Sequence, residues 1–397
     1  MAVRRTREPS QHDHDELREA VRELTEQLGN AGLGYFLEGR ITSIAALIQA
    51  YRVEEVAFVT AAGAPRRVLS LRRLDRLNLA YAALGLHNAD VGDPVLHLER
   101  IDEYVATTEL PVLAPGARYP LAEDTWLATP EGKALAAAIG ESVRREYATA
   151  LDRDAAAAAK IATLLAERAG IIEQWRDHLE RRRIVFSATD DLFVSKTLLD
   201  ALADVVPHYQ HERVEAIDDA LAELEAPRIH ARVHDLVAAS VRRHEAQHGF
   251  DFDRDAELRY PQELVALVGA PRDSEGEAIP IAASARAELS GYLSQIINDP
   301  VAPHAALGHL AVHTFSRSRA GTGEFFAGIV VLEGLAHQLG IEARGPRWQQ
   351  GLDRERLAKL ALAVVTLSDD KLRTVAKALW LQLFGEPCTS IVDGNRG

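Results

Sequence analysis

Apolar residues return every three or four positions along most of this chain, the spacing that lines one face of an α-helix. Leu17, Val21, Leu24 and Leu28 set the first such face and predict a helix over about residues 13–28. The pattern then changes to two short β-prone runs, 56–60 and 67–71, with Ala-Ala-Gly-Ala-Pro between them as a hairpin connection. Residues 95–101 are a candidate third strand, and Gly92, Pro94, Pro111, Pro115 and Gly116 punctuate the chain around it. At Thr129-Pro130-Glu131 the helical period takes over, because these residues suit an N-cap, the first helical position and an acidic first turn.

Helices are expected over 155–182, from Thr189 to a stop at Pro207, and over 227–248, 261–268, 281–297, 302–315 and 325–339. Two more, 353–366 and 368–384, begin with Asp and Ser caps, and Gly385 ends the second. Residues 269–280 read as a loop rich in Gly, Pro and acids. The pattern predicts a mainly α (α+β) fold, with a smaller N-terminal α/β lobe over 1–128 and a helical domain over 129–397.

The helix over 227–248 carries the strongest chemical signal. Val233, Val237 and Val241 form an apolar stripe, and the same spacing continues onto His244 and His248. These two histidines bracket an HExxH motif, His244-Glu245-Ala246-Gln247-His248. Imidazoles four apart on a helix can aim at one point, which suits Zn²⁺, and Glu245 then lies beside the metal as a base for water. Gly249 is placed to end the helix in a left-handed conformation.

Composition narrows the function. A formal charge of −14 argues against a general nucleic-acid binder, since phosphate contacts need a basic face. No run approaches the roughly 18 apolar residues needed to span a membrane. Residues 2–17 are polar and lack the apolar core of a signal peptide. The expected location is cytoplasmic if Met1 is the natural start, and exported if the numbering follows a removed signal. Cys388 is the single cysteine, which excludes an intrachain disulfide and a cysteine metal site.

A catalytic zinc needs a third protein ligand and one open position. In an HExxHxxGxxH pattern this chain has Asp251 at the glycine and Arg254 at the last histidine, and Met1 is its only methionine, so it departs from the metzincins. An HExxH with a glutamate on a downstream helix resembles the gluzincin branch of zinc metallopeptidases. That resemblance rests on His244, Glu245, His248 and one of Glu257, Glu263, Glu275, Glu277, Glu288, Glu324 and Glu333. Glu288 is the best placed, amid Ala285, Ala287 and Leu289, where a buried carboxylate needs a cation; otherwise it marks the solvated edge of its helix. Tyr292, one turn on, is either an oxyanion donor or a packing residue. His309 and His313 form a second pair four apart, without an acid between them, and read as core or supporting residues.

The resemblance implies a zincin-like helical catalytic domain, a Zn²⁺ cofactor held by His244, His248 and Glu288, and a peptide or protein substrate cleaved with Glu245 as general base. The alternatives from other classes are a helical interaction protein with a degenerate site, and a structural zinc closed by four protein ligands.

Overall fold

A computed structural model of the chain describes residues 2–4, 10–41, 45–61, 64–74, 83–86, 93–121, 129–181, 192–254 and 259–394. The described residues are mainly helical with one mixed sheet, in agreement with the fold class read from the sequence.

The N-terminal elements are β1 (Ala2–Arg4), α1 (Gln11–Asn30), β2 (Tyr35–Ile41), β3 (Ala45–Ala61), β4 (Ala64–Arg73), β5 (Gly85–Leu86) and β6 (Val95–His97). Ser10 and Asp13 cap α1 reciprocally: the Ser10 hydroxyl accepts the Asp13 N–H at 3.3 Å, and the Asp13 carboxylate accepts the Ser10 N–H at 2.7 Å. The expected hairpin is present as β3 and β4, paired antiparallel from Tyr51↔Arg73 to Ala61↔Ala64 with an irregularity between Val53 and Glu55. Its turn residues, 62 and 63, lie outside the described set. The long β3 also pairs with β1, with β2, and with β7 (Ile391–Asp393), which contributes Val59↔Asp393 and Ala61↔Ile391. A parallel ladder joins β4 to β6. Phe36, Tyr51, Leu69, Leu71 and Val95 form the apolar core of this sheet.

The third strand is shorter than expected. It stops at His97, and α2 (Leu98–Tyr104) takes over, followed by a π-helical turn Val105–Glu109 and the single turn α3 (Leu110–Val112). Leu98, Ile101 and Val105 recur at helical spacing, and the last two are fully buried, so packing favours a helix there.

The helices that follow are α4 (Pro130–Leu151), α5 (Ala155–Gln174), α6 (Arg176–Arg181), α7 (Lys196–Leu202), α8 (His208–Glu223), α9 (Ala226–Asp253), α10 (Gln262–Val268), α11 (Pro280–Asn298), α12 (Pro303–Phe315), α13 (Gly323–Gln338), α14 (Arg354–Val365) and α15 (Asp369–Phe384). Thr129 caps α4 as expected, accepting the Gly132 N–H at 3.1 Å. The single helix expected over 155–182 is two, broken at Trp175. The indole N–H of this buried residue donates to Gln210 Oε1 at 2.7 Å, a partner 35 residues away to which local periodicity is blind. The helix expected from Thr189 begins at Lys196, and Thr189 itself lies outside the described residues.

The chain divides into two compact units. One comprises 1–101, 241–259 and 389–397, and the other 102–240 and 260–388. The 128/129 boundary read from the helical pattern cuts the chain into two blocks, whereas one of these units gathers the end of α9 and the late strand β7 around its sheet. In the second unit α11 packs against α12, α13 and α15, and α14 packs against α4 and α13.

One helix start in that unit has a remote cap. Ala302 precedes α12 and offers no side-chain acceptor, so the first amides of the helix need another partner. Glu146 of α4 supplies it, accepting the His304 N–H at 2.8 Å, the Ala305 N–H at 3.2 Å and the His304 ring Nδ1 at 2.6 Å.

Candidate metal centre

The motif lies on the last turns of α9. Val233, Val237 and Val241 are buried, as the apolar stripe requires, and His244 follows at 8% exposure. The rings of His244 and His248 lie 4.5 Å apart between centroids, inclined by 58°, so spacing four does bring the two imidazoles onto one face. Glu245 is buried at 5% exposure, and its carboxylate stands 3.7 Å from His248 Nδ1. That distance is a charge contact and is too long for a hydrogen bond.

Glu245 occupies its place because β5 offers a glycine. A Cβ on Gly85 would come within 2.6 Å of Glu245 Cγ and 2.7 Å of Oε1, so only a residue without a side chain leaves room for this carboxylate. Sequence reading missed Gly85, since the close approach joins positions 160 residues apart.

Arginines tie this stretch of α9 to the sheet. Arg242 reaches Glu55 of β3 at 3.3 Å, Arg243 pairs with Asp393 of β7, and Arg66 of β4 pairs with Asp253. The Arg66 guanidinium also sits 4.9 Å from the centroid of the Phe250 ring, a cation–π contact. Gly249 does not end the helix, contrary to expectation. It is buried in mid-helix, where a Cβ would meet Arg66 Nη1 at 2.6 Å, so the glycine admits the guanidinium and the helix runs on to Asp253. Gln247 donates to Asp251 at 2.8 Å along the same helix. Asp251 thus occupies a position where the metzincin pattern has glycine, and it is engaged within α9.

Glu288 and Tyr292 lie one turn apart on α11, in the second unit. Glu288 is half-buried, whereas Tyr292 is 3% exposed and meets the ring of His309 edge-on at 5.9 Å. Several of the rival carboxylates have other partners. Glu333 is held by Arg347 at 2.5 Å and Arg356 at 2.7 Å, and Glu263 accepts from Gln382 at 3.0 Å. Glu324 sits in the first turn of α13, Glu275 and Glu277 lie in the loop before α11, and Glu257 falls outside the described residues. In that loop Asp273 accepts the N–H groups of Glu275 and Glu277 at 2.8 and 2.9 Å.

The second unit also buries a polar network that the sequence did not announce. Glu109, at the end of the π-helical turn, accepts from Tyr104 at 2.7 Å and Tyr119 at 2.8 Å, and the two phenols lie 2.6 Å apart. Burial pushes the Glu109 carboxyl up to about 7 against the opposing pull of the tyrosine hydroxyls. The ring of Tyr104 lies 5.0 Å from that of His309. π-Helical turns recur at functional sites, and a glutamate followed by Leu-Pro gives no sequence signature of one.

No protein family, curated protein or solved structure matches this chain. Among the described residues no helix is long and apolar enough to cross a membrane.

Proposed function

We propose that this chain is a zinc-dependent hydrolase, and that it acts as a metalloendopeptidase on peptide or protein substrates. The observation that carries the reading is the pairing of the His244 and His248 rings on one buried face of α9, with the Glu245 carboxylate beside them. Two neutral imidazoles and one carboxylate are a donor set that suits Zn²⁺. Glu288 is the third ligand in this reading, as the gluzincin resemblance implies. Three protein ligands are the number that leaves one of four positions for water.

Zinc held there supplies positive charge to a substrate carbonyl and acidifies water towards a pKa of about 7. Glu245 takes the proton of the attacking water and returns it to the leaving amine. Tyr292 donates its hydroxyl to the oxygen that gains negative charge. Metal analysis of protein purified without added zinc tests the assignment, with one tightly held equivalent expected. That equivalent disappears in His244→Ala and in Glu288→Ala. Full occupancy in His244→Ala overturns the reading, and full occupancy in Glu288→Ala moves the third ligand elsewhere.

A further inference from the structure

The second pair of histidines four apart, on α12, has its own geometry. His309 Nε2 and His313 Nε2 lie 3.3 Å apart, with the rings inclined by 68°. Two readings compete for that distance. A hydrogen bond between the rings requires one to donate and the other to accept, and 3.3 Å lies at the long end of that range. Two nitrogens on one tetrahedral ion, each about 2.0–2.1 Å from it, stand roughly 3.3–3.4 Å apart. The separation is the span that two nitrogens on one ion require.

We propose that His309 and His313 bind a second divalent transition-metal ion through their Nε2 atoms. The helix that carries them is a firm platform. α12 packs against α4, α11, α13 and α15, and Glu146 fixes its first turn. Both rings are half-buried, so water can fill the remaining coordination positions. Tyr104 and Tyr292 wall the site through their contacts with the His309 ring. Tyr104 is no ligand, because its hydroxyl is engaged by Glu109 and Tyr119. Imidazole donors select zinc, nickel or copper over magnesium and calcium, which take oxygen ligands. With only two protein ligands the ion is held more weakly than one with three, and it enters when metal is added.

The site uses none of the residues on α9, and one experiment separates the two. Protein stripped with a chelator is titrated with nickel(II), and the bound equivalents are counted by equilibrium dialysis. Wild type takes up two, the His244→Ala/His248→Ala protein one, and the His309→Asn/His313→Asn protein one. Two equivalents retained in the α12 variant overturn the second site. So does a single wild-type equivalent that each double variant abolishes, since both pairs then serve one ion, and so does one lost only from the α9 variant. A single wild-type equivalent lost only from the α12 variant keeps this site and sinks the zinc reading at His244. Copper(II) paramagnetic resonance on the His244→Ala/His248→Ala protein gives a measurement that does not depend on the α12 variant folding. Hyperfine structure from two imidazole nitrogens is expected, and its absence overturns the proposal.

Discussion

Glu245 rests against Gly85 so closely that one added methyl group on the glycine would overlap the carboxylate stem, at 2.6 Å from Cγ. The position of the proposed base is therefore set from the sheet as well as from its own helix. Gly85→Ala is expected to push the carboxylate aside while leaving His244 and His248 in place. Turnover of a peptide substrate should fall by a factor between that of wild type and that of Glu245→Gln, with metal content unchanged. Overpacking of this kind also costs roughly 1–3 kcal/mol of stability. Full turnover in Gly85→Ala would mean that the carboxylate position is not critical.

Glu245→Gln keeps the shape of the side chain and removes its ability to accept a proton. Zinc content and thermal stability should stay at wild-type level, and turnover should drop by roughly 10² to 10⁴, the span for one acid–base group. Loss of zinc in this variant would make Glu245 a ligand. An unchanged rate would remove the peptidase mechanism.

Glu109 gives a pH dependence with a definite sign. Its folded-state value of about 7 lies above the ordinary 4.5, so the folded protein keeps a proton that the unfolded chain has released. Its contribution is therefore fully present below about pH 4.5 and is lost as pH rises towards 7. Urea denaturation of wild type and Glu109→Gln at pH 5 and pH 8 measures this. The wild type should lose stability relative to the variant between the two pH values. A constant difference would show Glu109 ionised throughout. His97 works in the opposite sense, because burial lowers its imidazole to about 4 and the folded protein resists charging it as pH falls below 6.5.

Glu146 is buried and engages one ring nitrogen and two backbone amides at the start of α12. Glu146→Ala leaves those donors without their acceptor, and chemical denaturation should report a loss of roughly 1–3 kcal/mol for each donor left unpaired. Glu146→Gln should recover part of that loss, since its amide oxygen still accepts from the backbone. A loss below about 1 kcal/mol for Glu146→Ala, the net worth of one ordinary hydrogen bond, would mean that α12 does not depend on this cap.

Local signals in the sequence found what local physics decides. The HExxH face, the Thr129 and Asp353 caps and the left-handed Gly385 all follow from spacing or backbone preference, and each sits where expected. Departures arise where a distant partner decides. Gly249 lies inside the helix where its missing side chain admits Arg66, Gln210 binds Trp175 at a break, and Glu146 caps a helix whose own sequence has no cap. The two units alternate along the sequence for the same reason, because β7 completes a ladder with β3 more than three hundred positions earlier.

That late strand bears on how the protein is made. During synthesis β3 emerges early, yet the edge at Val59–Ala61 gains its partner only when Ile391–Asp393 is translated. Until then the side of this stretch that faces away from β4 offers unpaired amides and carbonyls to any neighbouring chain, the situation in which strands add to one another and nascent proteins aggregate. Asp393, which closes the ladder and also receives Arg243, adds a late tie between the motif helix and its sheet.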